Sequence, residues 1–219
     1  MVKFVPQLIN LFATLILLLS FAMISQRRIV SLINLFTMQG LALVIASVLL
    51  GYATHQNELY VSAALTLVLK VVLIPWLLYT VIRRLNVRWD VETLINIPTT
   101  MLVGIALVIF SFSLALPVSQ LSKSIAGGSL GIALACVLLS FLMMITRSKA
   151  VPQVIGFLSI ENGLIFAATT VTNGMPMIVE IGVALDVLVG VLILGVFLFQ
   201  IREQFDSLDI RHLESLKED

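Results

Sequence analysis

Residues 147–172 read RSKAVPQVIGFLSIENGLIFAATTVT. Two cations, Arg147 and Lys149, open the stretch, an apolar run follows, and a single carboxylate, Glu161, stands near its middle. About 20 apolar residues suffice to cross a bilayer, and a lone acid inside such a run has to face protein or water, because hydrocarbon cannot solvate it. The stretch therefore reads as a membrane-spanning helix with a buried ionisable group. Working outward, apolar runs between charged or turn-forming breaks predict further helices, giving spans near 4–26, 29–53, 59–82, 95–116, 125–146, 150–172 and 176–201. The expected fold is all-α, a polytopic integral membrane protein with seven transmembrane helices. The first run is long for a signal peptide and is followed at once by Arg27 and Arg28 with no small-residue cleavage site, so it is read as a span.

Composition agrees and excludes several functions. Of 219 residues, 60% are hydrophobic and 11% charged, against roughly 45–50% and about 25% in soluble domains. Seven spans leave little chain for a soluble catalytic domain. A formal net charge of +1 provides no basic field to draw nucleic acid, and DNA or RNA is not expected as a partner. One cysteine, Cys136, can form no internal disulfide and cannot hold an iron–sulfur cluster alone. His55 and His212 lack a second ligand at useful spacing, so no metal site is expected, and no Ser/His/Asp or Cys/His set offers nucleophilic catalysis.

The cations are distributed unevenly. Arg27, Arg28, Arg83, Arg84, Arg88, Arg147, Lys149, Arg202, Arg211 and Lys217 fall on one side of a seven-span chain, and Lys3 and Lys123 on the other. The positive-inside rule then puts the N-terminus outside and the C-terminus in the cytoplasm. The expected organisation is a first three-helix unit at 1–83, a linker region with helix four at 84–124, a second three-helix unit at 125–201, and a cytoplasmic tail at 202–219. The tail mixes charges around Phe205, Leu208, Ile210, Leu213 and Leu216, which suits either a solvated end or a docking segment for a cytoplasmic partner. The second and sixth spans share a plan, a basic start and then a polar interruption before Gly40-Leu41 and Gly163-Leu164. This suggests a parallel 3+1+3 repeat. Gly127, Gly128 and Gly131 have no preceding strand, and their spacing is that of helix packing.

Four ionisable residues lie inside spans: Lys70, Glu161, Glu180 and Asp186. Counting from a turn near Gly174, Glu161 and Asp186 both come roughly 18–20 Å into the bilayer at 1.5 Å per residue, and Lys70 reaches a similar depth from the same side. Gly182, Asp186 and Gly190 share one helix face, so small residues flank the carboxylate and admit a neighbouring helix. Ser62, Thr66 and Lys70 form a polar stripe on the third span. Pro75 cannot donate to the carbonyl of Val71, which leaves that oxygen free for water. Glu180 is turned roughly 120° from Asp186 and belongs nearer the outer interface. Two readings fit: a proton relay through Glu161, Asp186 and Lys70, or an ion pair that only fixes helix packing.

These residues also carry a resemblance. Arg147 and Lys149, Ser159-Ile160-Glu161, Asp186 in the next helix and the tail Ser207-Leu208-Asp209-Ile210 resemble the small NuoK-type subunit of respiratory complex I and the related subunit of Mrp-type antiporters. Val151 to Phe157, Glu161-Asn162-Gly163 and Val179 to Asp186 make the chain similar over nearly its full length to component E of hydrogenase-4 type formate hydrogenlyases. The resemblance implies a membrane-arm subunit, not itself catalytic, of an energy-converting hydrogenase or formate hydrogenlyase complex, with 125–201 as the NuoK-like unit. It implies no cofactor in this chain and nickel–iron and iron–sulfur centres in partner subunits. The implied partners are antiporter-like and quinone-site-subunit-like membrane subunits, peripheral hydrogenase subunits and the lipid bilayer. Glu161 then corresponds to a conducting glutamate, and Asp186 takes the place of a second one, which a gapless alignment of the tails puts at Gly190. A stand-alone secondary transporter and a purely structural assembly subunit are the rival readings.

Overall fold

The computed structural model describes residues 4–84, 93–121 and 129–172, together with Gly182, Leu185, Asp186, Leu188, Val189 and Gly190. These form α1 (Phe4–Ser25), α2 (Ile29–Thr54), α3 (Asn57–Thr66), a π-helix (Leu67–Leu73), α4 (Ile74–Arg84), α5 (Ile97–Leu121), α6 (Ser129–Thr146) and α7 (Ala150–Thr172). Six helices among the described residues are long and apolar enough to cross a membrane, with α3, the π-helix and the start of α4 counting as one. The chain is thus an all-α, multi-pass membrane protein. The seventh span, 176–201, lies outside the described residues except for six helical positions between 182 and 190, and the tail lies wholly outside them.

The helices stand in two rows. α1, α2 and the third span form one, and α5, α6 and α7 form the other, with α1 lying against α5 and α6 and α2 against α7. The shared core is built from Met23 and Ile24 of α1, Phe36 of α2, Leu78 of α4, Leu139 of α6 and Leu158 of α7, among others. Lipid is as apolar as these side chains, so close van der Waals packing holds the rows together rather than exclusion from water.

Glycine makes the closest approach possible between α6 and α7. A methyl group on Gly163 would lie 2.8 Å from Val137 Cγ2 and 3.2 Å from the Val137 backbone nitrogen. Gly163→Ala gains up to about 1 kcal/mol in helix propensity, but the clash with backbone costs about 1–3 kcal/mol. We expect a lower unfolding temperature in detergent for Gly163→Ala and none of that loss for Gly190→Ala, where no atom of the described residues lies within 4 Å of the new methyl. Gly131 likewise packs on α5, where an added Cβ would stand 2.9 Å from Phe112 Cδ1, whereas Gly127 and Gly128 lie outside the described residues. The aligned glycines of the suggested repeat meet different neighbours: Gly40 approaches Lys70 and Val71 of the third span, while Gly163 approaches α6.

Connections within the rows are tight. His55 closes α2 in the left-handed conformation, φ 56° and ψ 31°, a region His tolerates better than most side chains. Three residues, 147–149, link α6 to α7, and Pro152 sits in the first turn of α7, where a missing N–H breaks no helical bond. α5 extends to Leu121 and carries Pro117 within it, so it outruns the end expected at 116. A proline this close to a helix terminus removes one donor without displacing the few residues that follow.

The third span differs from a plain helix in a way its proline explains. Pro75 has no N–H for Val71, and its ring crowds that carbonyl. The chain answers with seven residues of π-helix, in which Ile74 N–H reaches back five residues to the Leu69 carbonyl. Local π adjustment is one of the means by which a membrane helix meets its backbone hydrogen bonds around proline. Lys70 sits in the middle of this widened turn.

Candidate functional site

Lys70 is fully buried, as large ionisable side chains rarely are without partners. Its partners come from two helices distant in sequence. Nζ lies 3.1 Å from Glu161 Oε1 on α7 and 3.6 Å from Asp186 Oδ1, and both carboxylates are 3% exposed. A third contact is neutral: Nζ donates a 3.0 Å hydrogen bond to Asn162 Oδ1. Lys70, Glu161 and Asp186 therefore meet at one level of the bundle. Glu180 lies outside the described residues.

Local sequence explains how each side chain arrives. On the third span Ser62, Thr66 and Lys70 are all buried on one face, and Thr66 Oγ1 spends its proton on the Ser62 carbonyl at 2.9 Å. Gly40 of α2 lies against Lys70, where an added Cβ would stand in ordinary contact at 3.6 Å from Lys70 Cβ. Gly182 lets Asp186's helix close on α7, where a Cβ would stand 3.0 Å from Ile165 Cδ1 and 3.3 Å from Glu161 Oε1. Of the two glycines flanking Asp186, only Gly182 has such a neighbour among the described residues; Gly190 has none of them within 4 Å.

The ammonium donates its hydrogen bond to Asn162 and meets Glu161 Oε1 and Asp186 Oδ1 as ion pairs, while Glu161 Oε2 has no partner among the described residues. Buried carboxylate oxygens in that state are costly. With all three groups ionised, the cluster carries a net charge of −1. One proton or one small monovalent cation would neutralise it.

A neutral polar network lies behind the centre. Asn162 Nδ2 donates to Gln39 Oε1 at 3.1 Å, Ser159 Oγ donates to the same oxygen at 2.9 Å, and Gln39 Nε2 donates to Ser20 Oγ at 2.8 Å. Ser140 and Ser159 are joined at 2.7 Å. Gln39, Asn162, Ser20, Ser140 and Ser159 are all buried. Sequence reading passed over them as site residues because a single neutral polar residue in an apolar run carries no charge signal. The polar interruptions before Gly40 and Gly163 were the available sign.

Arg147 is the other unexpected placement. Its position between spans suggested a solvated loop cation, yet it is 1% exposed. Nη2 donates to the carbonyl oxygens of Met23 at 3.3 Å and Ile24 at 2.6 Å, the end of α1 whose last carbonyls lack helical partners. Backbone pairing of Thr93 with Arg147, and a Leu94 N–H to Thr146 carbonyl bond of 2.9 Å, hold the segment before α5 against the same corner.

Fold and centre together define a class: a polytopic, all-α membrane protein with a lysine held between two buried carboxylates. Comparison with known proteins goes one step further. The chain is 23% identical over 210 residues to hydrogenase-4 component E of Escherichia coli (strain K12), covering 96% of this chain and 97% of that protein, and equally to hydrogenase-4 component E of Shigella flexneri. It is 29% identical over 204 residues, 93% of each chain, to the uncharacterized protein Rv0085 of Mycobacterium tuberculosis. This is distant, full-length homology to hydrogenase-4 component E. No protein-family model matches the chain, and no solved structure does.

Proposed function

We propose that the chain is a membrane-arm subunit, not itself catalytic, of an energy-converting hydrogenase or formate hydrogenlyase-like complex related to complex I. In this reading it contributes to moving protons or Na⁺ while partner subunits carry the nickel–iron and iron–sulfur redox chemistry. The observation that carries the reading is a single buried ammonium shared by two carboxylates on different helices. Such a cluster responds to a change of field from a neighbouring subunit by taking up or releasing one charge, and a group that can do so inside a membrane marks an ion path more often than a packing contact. Full-length similarity to hydrogenase-4 component E supports membership of such an assembly. Glu180 would supply an acid nearer the outer surface, and the charge asymmetry of the loops supports a cytoplasmic C-terminus.

Purification in mild detergent, followed by mass spectrometry and iron and nickel analysis, tests the reading. The expected result is co-purification with antiporter-like membrane subunits and with hydrogenase-like polypeptides that contain iron–sulfur centres. A chain that isolates alone and transports ions in liposomes overturns it in favour of a secondary transporter.

A further inference from the structure

The hydrogen bonds behind Lys70 run in one direction only, and that direction assigns a task to residues with no charge. Ser20 Oγ has one proton and gives it to the Ile16 carbonyl at 2.9 Å. Toward Gln39 it can then only accept, which turns the Gln39 amide with Nε2 facing α1 and Oε1 facing α7. Oε1 accepts from Ser159 and from Asn162 Nδ2, so both its lone pairs are filled. Ser159 has spent its proton there, and Ser140 is the donor in the 2.7 Å contact between the two hydroxyls. With Nδ2 held by Gln39, Asn162 has Oδ1 left for Lys70. Rotating the Asn162 amide by half a turn would set NH2 against ammonium and oxygen against oxygen. Each amide thus has a single allowed orientation, fixed from a backbone carbonyl of α1.

We propose that Asn162, locked through Gln39 and Ser20, is a positioning residue that holds the Lys70 ammonium between Glu161 and Asp186 whichever of them carries a proton. The proposal rests on the reading that the cluster exchanges charge. An ammonium bound only by two carboxylates would follow the one that remains ionised and leave the other out of reach. A neutral acceptor whose strength does not change with protonation keeps it in place, at 3.1 Å from one acid and 3.6 Å from the other. Gln39, two helices away from Asp186, acts on the cluster only through Asn162.

Infrared titration of the carboxyl band tests this on the purified full chain in nanodiscs, with Glu161→Gln and Asp186→Asn used to assign the band. A hydrogen bond to a charged group is worth enough to move a protonation equilibrium about tenfold, equal to about one pH unit. Asn162→Leu and Gln39→Met are both expected to displace the titration midpoint by about that amount. Gln39→Met matches Gln in volume and helix preference, which keeps the test open if Asn162→Leu folds poorly. Ser159→Ala removes a hydrogen bond to the same Gln39 oxygen without releasing Asn162, and is expected to titrate as wild type. Wild-type midpoints in both Asn162→Leu and Gln39→Met, or an equal displacement in Ser159→Ala, overturn the proposal. Its failure is separable from that of the functional reading: ion translocation that survives Glu161→Gln in assembled membranes refutes the function, while displaced midpoints in the purified chain still assign the positioning role.

Discussion

Lys70→Met will destabilise the protein by about 3–5 kcal/mol, the range for breaking a buried ion pair from one side. The loss arises because two carboxylates, each 3% exposed, stay buried with no cation, and because Asn162 Oδ1 loses its donor. Hydrophobic replacement of a whole buried ionic cluster is often neutral or stabilising. The triple variant Lys70→Met, Glu161→Gln, Asp186→Asn should therefore recover most of the unfolding temperature lost in Lys70→Met, since no uncompensated charge remains. Ion translocation should not recover with it. Complexes assembled with the triple variant should retain redox turnover and lose the ion movement coupled to it, read as the decay of a pH or Na⁺ gradient in inverted membrane vesicles. Coupling that persists in the triple variant would reduce the centre to a packing device.

The second large effect is at Arg147. Removing its side chain takes the Arg147 donor from the Ile24 carbonyl at the end of α1, at about 1–3 kcal/mol for an unsatisfied group, while the Met23 carbonyl keeps the Gln26 N–H at 3.3 Å. It also removes a cation from the negative end of the α1 dipole. Against this, a mutation relieves the burial of a guanidinium whose Nε and Nη1 have no hydrogen-bond partner among the described residues. The orphaned Ile24 carbonyl and the lost interaction with the helix end outweigh that relief, and Arg147→Met should cost about 1–2 kcal/mol in stability. Both bonds come from the single nitrogen Nη2, and Arg147→Lys should rescue only in part, because an ammonium on a shorter stem does not reach as far as that nitrogen. Thermal unfolding of the three proteins in one detergent decides it, and an Arg147→Met variant as stable as wild type would show the cap to be dispensable. Burial beside a helix end also qualifies the topology argument, which counts Arg147 as a solvated loop charge.

Six of the expected spans appear where hydropathy put them, within a few residues at most ends, because the requirement for about 20 apolar residues is local and strong. The third span is the exception in kind. Pro75 was visible and its effect on Val71 was legible, but the chain could respond by a kink, a hydrated carbonyl or a π-helix, and packing against α2 selects among these. The level shared by Lys70, Glu161 and Asp186 was legible too, since a fixed rise per residue converts position in a span into depth.

Sequence by itself determined the class of protein, the sites of six described spans and the short roll of ionisable groups inside them. All of these follow from the energy of placing one residue in hydrocarbon, which needs no knowledge of neighbours. Tertiary structure alone decided which groups touch. The bond from Lys70 to Asn162 joins residues 92 apart, and those from Gln39 to Asn162 and from Arg147 to Ile24 each join residues 123 apart. Azimuth around a helix and the choice of neighbouring helix are set by packing of whole surfaces. Hence a neutral glutamine became part of a charged centre, and a loop arginine became a buried cap.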